Sequence, residues 1–125
     1  MELRESGEDY LEAILALHRE SGTVRSVDVA QHLGVSKPSV SRAMGVLRGN
    51  GYLTMDDENL ITLTEAGLAV ATQIDERHRL LSQWLTALGV SPDVAAADAC
   101  RMEHDMSEET FARLKAHILE GTIPW

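Results

Sequence analysis

The stretch from Arg25 to Gly51 constrains this chain most. Ser26 is placed to cap a short helix through Leu33, and Gly34-Val35-Ser36 then makes a tight turn. Ser36 caps a further helix with Pro38 in its first turn. Val40, Ala43, Met44 and Leu47 recur at helical spacing and form its apolar stripe, which leaves Lys37, Ser39, Ser41, Arg42 and Arg48 outside. A short helix, a Gly-containing turn and a second helix with a small, basic outer face predict a helix-turn-helix. No acidic residue lies between Ser36 and Gly51. Hydroxyls and guanidinium groups reach base edges and phosphates without bulk, so Arg25, Ser36, Lys37, Pro38, Ser39, Ser41, Arg42 and Arg48 are the candidate DNA contacts.

Taken whole, the net charge opposes that reading, because the chain of 125 residues carries −9. Its distribution resolves the conflict. Residues 21–55 hold Arg25, Lys37, Arg42 and Arg48 against Asp28 alone, a local +3 that leaves −12 for the rest. An acidic remainder suits a cation-binding body. The single cysteine excludes an intrachain disulfide framework and fits a reducing compartment. No apolar run approaches the ~20 residues of a membrane span, and Met1 to Glu5 lack the regions of a signal peptide. A cytoplasmic protein without a membrane partner is the expectation.

Upstream of the helix-turn-helix, Tyr10, Ala13, Ile14 and Leu17, widened by Leu11 and Leu15, predict a helix from about Glu5 to Glu20. His18 falls in this apolar arc and is expected in the core. Downstream, Gly49-Asn50-Gly51 stops the recognition helix. Tyr52–Met55 and Leu60–Leu63 are β-prone runs around Asp56-Asp57-Glu58-Asn59 and predict a small hairpin, the wing. Three acids at its tip would repel phosphate, so a strong grip on DNA is not expected there. Thr64 caps a long helix from Glu65 to about Leu88, with Leu80, Leu81, Trp84, Leu85 and Leu88 as its stripe and Gly89 as its stop. Ser91-Pro92 opens a fifth helix, in which Ala95-Ala96-Ala97 would admit a close neighbour. Ser107 opens a sixth helix to about Glu120. The fold is therefore mainly α: an N-terminal winged helix-turn-helix over 1–63, then a helical domain over 64–125 whose first helix, 64–89, is the linker.

The fifth helix carries the second informative pattern. Cys100, Glu103 and His104 stand at i, i+3 and i+4 and leave one helix face together. A thiol, a carboxylate and an imidazole within one turn make half of a transition-metal site. Asp9 and Glu12, one turn apart on the first helix, and His78 on the fourth are placed to complete it.

These pieces resemble the diphtheria-toxin-repressor family of metal-dependent regulators, most closely its two-domain manganese-transport-regulator branch. The matching text is Glu8 to Glu12, Val29 to Ser41, Arg77 to Leu81 and Cys100 to Ser107, in that order. The barrel-like third domain of longer members has no counterpart in these residues. By position, Asp9, Glu12, His78, Glu103 and His104 match ligands of the manganese branch. Cys100 departs from it, since that branch usually has Glu there and the iron-responsive branch has Cys. The iron branch in turn usually has Met where this chain has Asp9. Ser82 and Ala96 fill positions where the iron branch carries further ligands. The pattern is a hybrid, which leaves Fe²⁺ and Mn²⁺ both open, with Zn²⁺, Co²⁺ and Ni²⁺ as further ions for binding in vitro.

The resemblance implies a homodimer joined through the C-terminal helices and a palindromic double-stranded operator read by two recognition helices. It also implies metal-activated repression of metal homeostasis genes rather than enzymatic catalysis. Two other readings fit parts of the sequence. A metal-independent winged-helix regulator sensing a small molecule would use the helix-turn-helix alone. A dinuclear metal hydrolase would use the carboxylates and histidines, because such groups also build two-metal catalytic sites.

Overall fold

The computed structural model describes residues 5–120 and divides the chain into two compact units, Met1–Gln73 and Ile74–Trp125. The division falls inside one long helix. The expectations that touch residues 1–4 and 121–125 lie outside the described residues.

The first unit begins with α1, Glu5–Ser21. Its buried residues, Leu11, Ala13, Ile14 and Leu15, follow the expected arc, and Tyr10 and Leu17 pack on its margin. His18 departs from expectation and is exposed. It stands in the last full turn of α1, at the rim of a cleft of about 120 Å³ lined by Ile14, Leu15, Ile61 and Leu68. The polar ring faces water there at no desolvation cost.

α2 spans Ser26–Leu33 and α3 spans Lys37–Gly49. Ser26 is not the cap of α2: Arg25 holds that position, in extended backbone. Asp28 explains the difference. Its carboxylate accepts a hydrogen bond from the Arg25 N–H at 2.9 Å, so the third helical residue reaches back over the helix entrance. Gly34 ends α2 in the left-handed conformation that a tight turn demands, with φ 67°. Ser36 caps α3 as expected, its Oγ accepting from the Ser39 N–H at 3.3 Å. Val29 and Ala30 on α2, and Val40, Met44 and Leu47 on α3, enter the same core as α1.

β1, Leu53–Met55, pairs antiparallel with β2, Ile61–Leu63, opposing Thr54 to Thr62. Alternation turns Leu53 and Ile61 inward and exposes the threonine pair. The Ile61 N–H also donates to the Val24 carbonyl at 2.8 Å, which ties the hairpin to the segment between α1 and α2. At the tip, the Asp56 side chain accepts from the N–H groups of Glu58 and Leu60 at 2.9 and 3.0 Å. One of the three tip acids therefore holds the turn.

Thr64 caps α4, Glu65–Ala87, by accepting from the Gly67 N–H at 3.1 Å. The Thr64 N–H bonds to the Tyr52 carbonyl at 3.1 Å, which docks the start of α4 against the hairpin. Gly67 permits that approach. A Cβ there would lie 1.9 Å from the Tyr52 carbonyl oxygen.

The second unit holds the rest of α4 with α5, Pro92–Asp105, and α6, Glu108–Glu120. Ile74, Leu81, Ala95, Ala99 and Phe111 are buried. The apolar stripe of α4 ends earlier than its sequence suggests, because Leu88 is 47% exposed. Gly89 follows with φ 105°, turning the chain away. Ala95 is buried, whereas Ala97 of the same alanine run faces out.

Candidate metal centre and nucleic-acid interface

Within the second unit, α4 and α5 set three donor side chains, those of His78, Cys100 and His104, around the Glu103 carboxylate. Glu103 is fully buried, and its two carboxylate oxygens face two different imidazoles. His78 Nδ1 on α4 lies 3.0 Å from Oε2, and His104 Nε2 lies 3.5 Å from Oε1. The His104 side chain is 1% exposed and that of His78 is 34% exposed. Cys100 stands one turn before, and the donor atoms of Cys100, Glu103 and His104 all lie within 4.8 Å of one another. Donors bound to one first-row divalent ion at about 2.0–2.3 Å are separated by up to about 4.6 Å, so this set fits such an ion with little movement. The types fit as well: imidazole and thiolate suit the later divalent ions, while carboxylate keeps Mn²⁺ admissible. A buried carboxylate with nitrogen and sulfur donors around it is also difficult to explain as packing, because burying an unneutralised charge is costly.

Asp9 and Glu12 belong to the first unit. Both are half-buried and stand three residues apart on α1, so their side chains leave one face of that helix.

Sequence reasoning missed Arg77, which is only 6% exposed. Its Nη1 donates to the Glu103 carbonyl at 2.9 Å and to the Met106 carbonyl at 2.7 Å. Its guanidinium carbon lies 5.1 Å from the centre of the Phe111 ring. The available signal was its position between Ile74 and Leu81, in register with the buried stripe of α4.

In the first unit, the expected outer face of α3 is polar and open. Arg25, Ser36, Lys37, Pro38, Ser41, Arg42 and Arg48 are exposed, and Ser39 is half-buried. The Ser36 hydroxyl is engaged in the cap and also donates to the Ser39 Oγ at 2.8 Å. These two serines set the start of α3, while Lys37, Ser41 and Arg42 present charge and hydroxyl outward.

A winged helix-turn-helix joined to a unit in which a thiol and two imidazoles surround a buried carboxylate defines the class: a DNA-binding regulator with a candidate metal centre. Two family models match the chain. Residues 2–59 match the N-terminal DNA-binding domain of iron-dependent repressors, and residues 64–120 match their metal-binding and dimerisation domain. Among known proteins, the transcriptional regulator MntR of Escherichia coli is 43% identical over 108 residues, covering 86% of this chain and 70% of the relative. The iron-dependent repressor IdeR of Mycobacterium bovis is 34% identical over 114 residues, covering 90% and 50%. A manganese-dependent transcriptional repressor solved in complex with manganese superposes with a TM-score of 0.81 at 29% identity. That match covers 90% of this chain and 52% of the other, so the chain spans about half the length of such solved structures. This chain belongs to the iron-dependent repressor family of metal-dependent transcriptional regulators.

Among the described residues no helix is long and apolar enough to cross a membrane.

Proposed function

We propose that the chain is a divalent-metal-activated repressor of metal homeostasis genes, acting in the cytoplasm as a homodimer on a palindromic operator. The observation that carries this reading is the fully buried Glu103 carboxylate, faced by two imidazoles and close to a thiol, in a chain whose other unit is a basic helix-turn-helix. The proposed ligands are Asp9, Glu12, His78, Cys100, Glu103 and His104. For the last four the support is their grouping. For Asp9 and Glu12 it is their shared face on α1 and their match to ligand positions of the manganese branch.

The bound ion would supply positive charge and a fixed link among these side chains. The residues do the rest. Glu103 and His104 offer donors from the last turn of α5, and His78 offers one from α4. Asp9 and Glu12 extend the donor set to the helix that packs directly on the helix-turn-helix core. Ligands drawn from both units couple metal binding to the arrangement of the recognition helices, because freedom lost to the metal is not lost again on DNA. On the operator, the outer face of α3 enters the major groove, with Lys37, Ser41, Arg42 and Arg48 on phosphates and base edges and Arg25 beside them. A twofold dimer repeats that face one or more turns of about 34 Å away, which is why a palindrome is proposed. The role is binding and not catalysis.

Fe²⁺ and Mn²⁺ are the proposed activating ions, with Co²⁺, Ni²⁺ and Zn²⁺ binding in vitro. The test is selection of duplexes from a random pool by the purified protein with Mn²⁺, with anaerobic Fe²⁺ and with chelator. The reading predicts enrichment of a palindrome in the metal arms alone. An equal enrichment in chelator would refute metal activation, and no enriched sequence in any arm would refute operator recognition.

A further inference from the structure

The last turn of α5 carries Glu103 and His104, yet that helix ends without the usual closure. The residue that follows it, Met106, is in extended backbone with φ −98° and ψ 134°, so no left-handed glycine turn closes the final carbonyls. The side chain of Arg77 supplies the missing donors. Its Nη1 bonds to the carbonyls of Glu103 and Met106 at 2.9 and 2.7 Å. These are neighbouring points on either side of the helix end. Phe111, near the start of α6, lies against the guanidinium at 5.1 Å. One buried side chain of α4 therefore grips the end of α5 and the start of α6.

The next residue of α4 is His78, whose imidazole meets the Glu103 carboxylate at 3.0 Å. Glu103 is thus held twice by adjacent residues, at its backbone by Arg77 and at its side chain by His78. Releasing the backbone grip would let the last turn of α5 unwind, as unsupported helix ends do, and would move Glu103 and His104 together relative to His78.

We propose that Arg77 is a positioning residue for the metal centre, holding the last turn of α5 so that Glu103 and His104 meet His78 in ligating geometry. This rests on the reading of these residues as metal ligands. The guanidinium makes no contact with the ion; it fixes the backbone from which two donors project. Groups that orient metal ligands typically contribute about 10–100-fold to metal affinity.

The test uses the full chain with Co²⁺, following the visible and near-ultraviolet absorption during titration. Two variants are compared with the parent, Arg77→Met and Arg77→Lys. Circular dichroism and sedimentation of the metal-free proteins report whether each is folded and associated like the parent. Arg77→Met should bind Co²⁺ at least about tenfold more weakly, and its saturated spectrum should differ from that of the parent. Arg77→Lys retains a charged donor on a different reach and should fall between the two. A purely structural role would alter the circular dichroism or association, yet leave affinity and spectrum of the folded fraction unchanged. If Arg77→Met does not fold, Arg77→Lys decides: intermediate affinity supports the proposal and parental affinity overturns it. Parental affinity and spectrum in both variants would also overturn it. A parent that gives no ligand-field or thiolate-to-cobalt bands would instead overturn the metal-centre reading itself.

Discussion

His78 Nδ1 and Glu103 Oε2 lie 3.0 Å apart, and the carboxylate is fully buried while the imidazole is 34% exposed. The pair joins α4 to α5 across 25 residues of sequence. Burying such a pair costs desolvation that its mutual attraction need not repay, so the arrangement takes some stability from the metal-free fold that a bound ion would return. Glu103→Gln should therefore leave the thermal midpoint in chelator equal to or above that of the parent. It should also abolish the upward shift that saturating Mn²⁺ gives the parent. Scanning calorimetry with and without Mn²⁺ checks both, and a variant that keeps the full Mn²⁺ shift would remove Glu103 from the ligand set.

Gly67 stands where a Cβ would lie 1.9 Å from the Tyr52 carbonyl oxygen, a backbone atom that cannot swing aside. Gly67→Ala should destabilise the protein by roughly 1–3 kcal/mol, the usual range for overpacking, despite the better helix propensity of alanine. Urea denaturation measures it. Unchanged stability would mean that α4 does not approach the hairpin so closely.

Arg42 is exposed on α3, opposite the buried Val40, Met44 and Leu47. Arg42→Ala should weaken operator binding by roughly 1–3 kcal/mol and leave Mn²⁺ affinity unchanged. Fluorescence anisotropy with labelled operator reads the first, and calorimetric titration the second. A loss of helical signal in the variant would show that this face is part of the core.

Cys100 offers sulfur to a set otherwise made of oxygen and nitrogen, and soft donors favour metals later in the divalent series than Mn²⁺. Cys100→Glu should shift activation of operator binding toward Mn²⁺ relative to Fe²⁺ under anaerobic conditions. An unchanged preference, with no thiolate-to-metal band when Co²⁺ is added to the parent, would exclude the sulfur from the centre.

Much of this architecture was legible in residue order, for identifiable reasons. The helix-turn-helix announces itself through Gly34, Ser36, Pro38 and the Val40-Met44-Leu47 stripe, all local signals at fixed offsets. The grouping of Cys100, Glu103 and His104 follows from helical period alone. What local pattern cannot encode is the partner across a turn. Asp28 displaces Ser26 from the cap of α2 because a carboxylate three residues on reaches the Arg25 N–H. His18 shares the periodicity of the core but sits where α1 has run past it, at the rim of a cleft. Arg77 reads as one more surface cation until the carbonyls of Glu103 and Met106, 26 and 29 residues later, are placed against it. Gly67 looks like a weak helix residue until Tyr52 is seen beneath it.

If metal and operator binding are coupled as proposed, the coupling free energy must be the same from either side. Coupling is read from the Mn²⁺ affinity of the protein, determined once free and once saturated with operator, beside its operator affinity with and without Mn²⁺. Both ratios should be equal and should lie at about 5–150-fold, the usual range for allosteric coupling. Identical Mn²⁺ affinity on and off the operator would contradict metal-activated operator binding, however tightly each ligand binds alone.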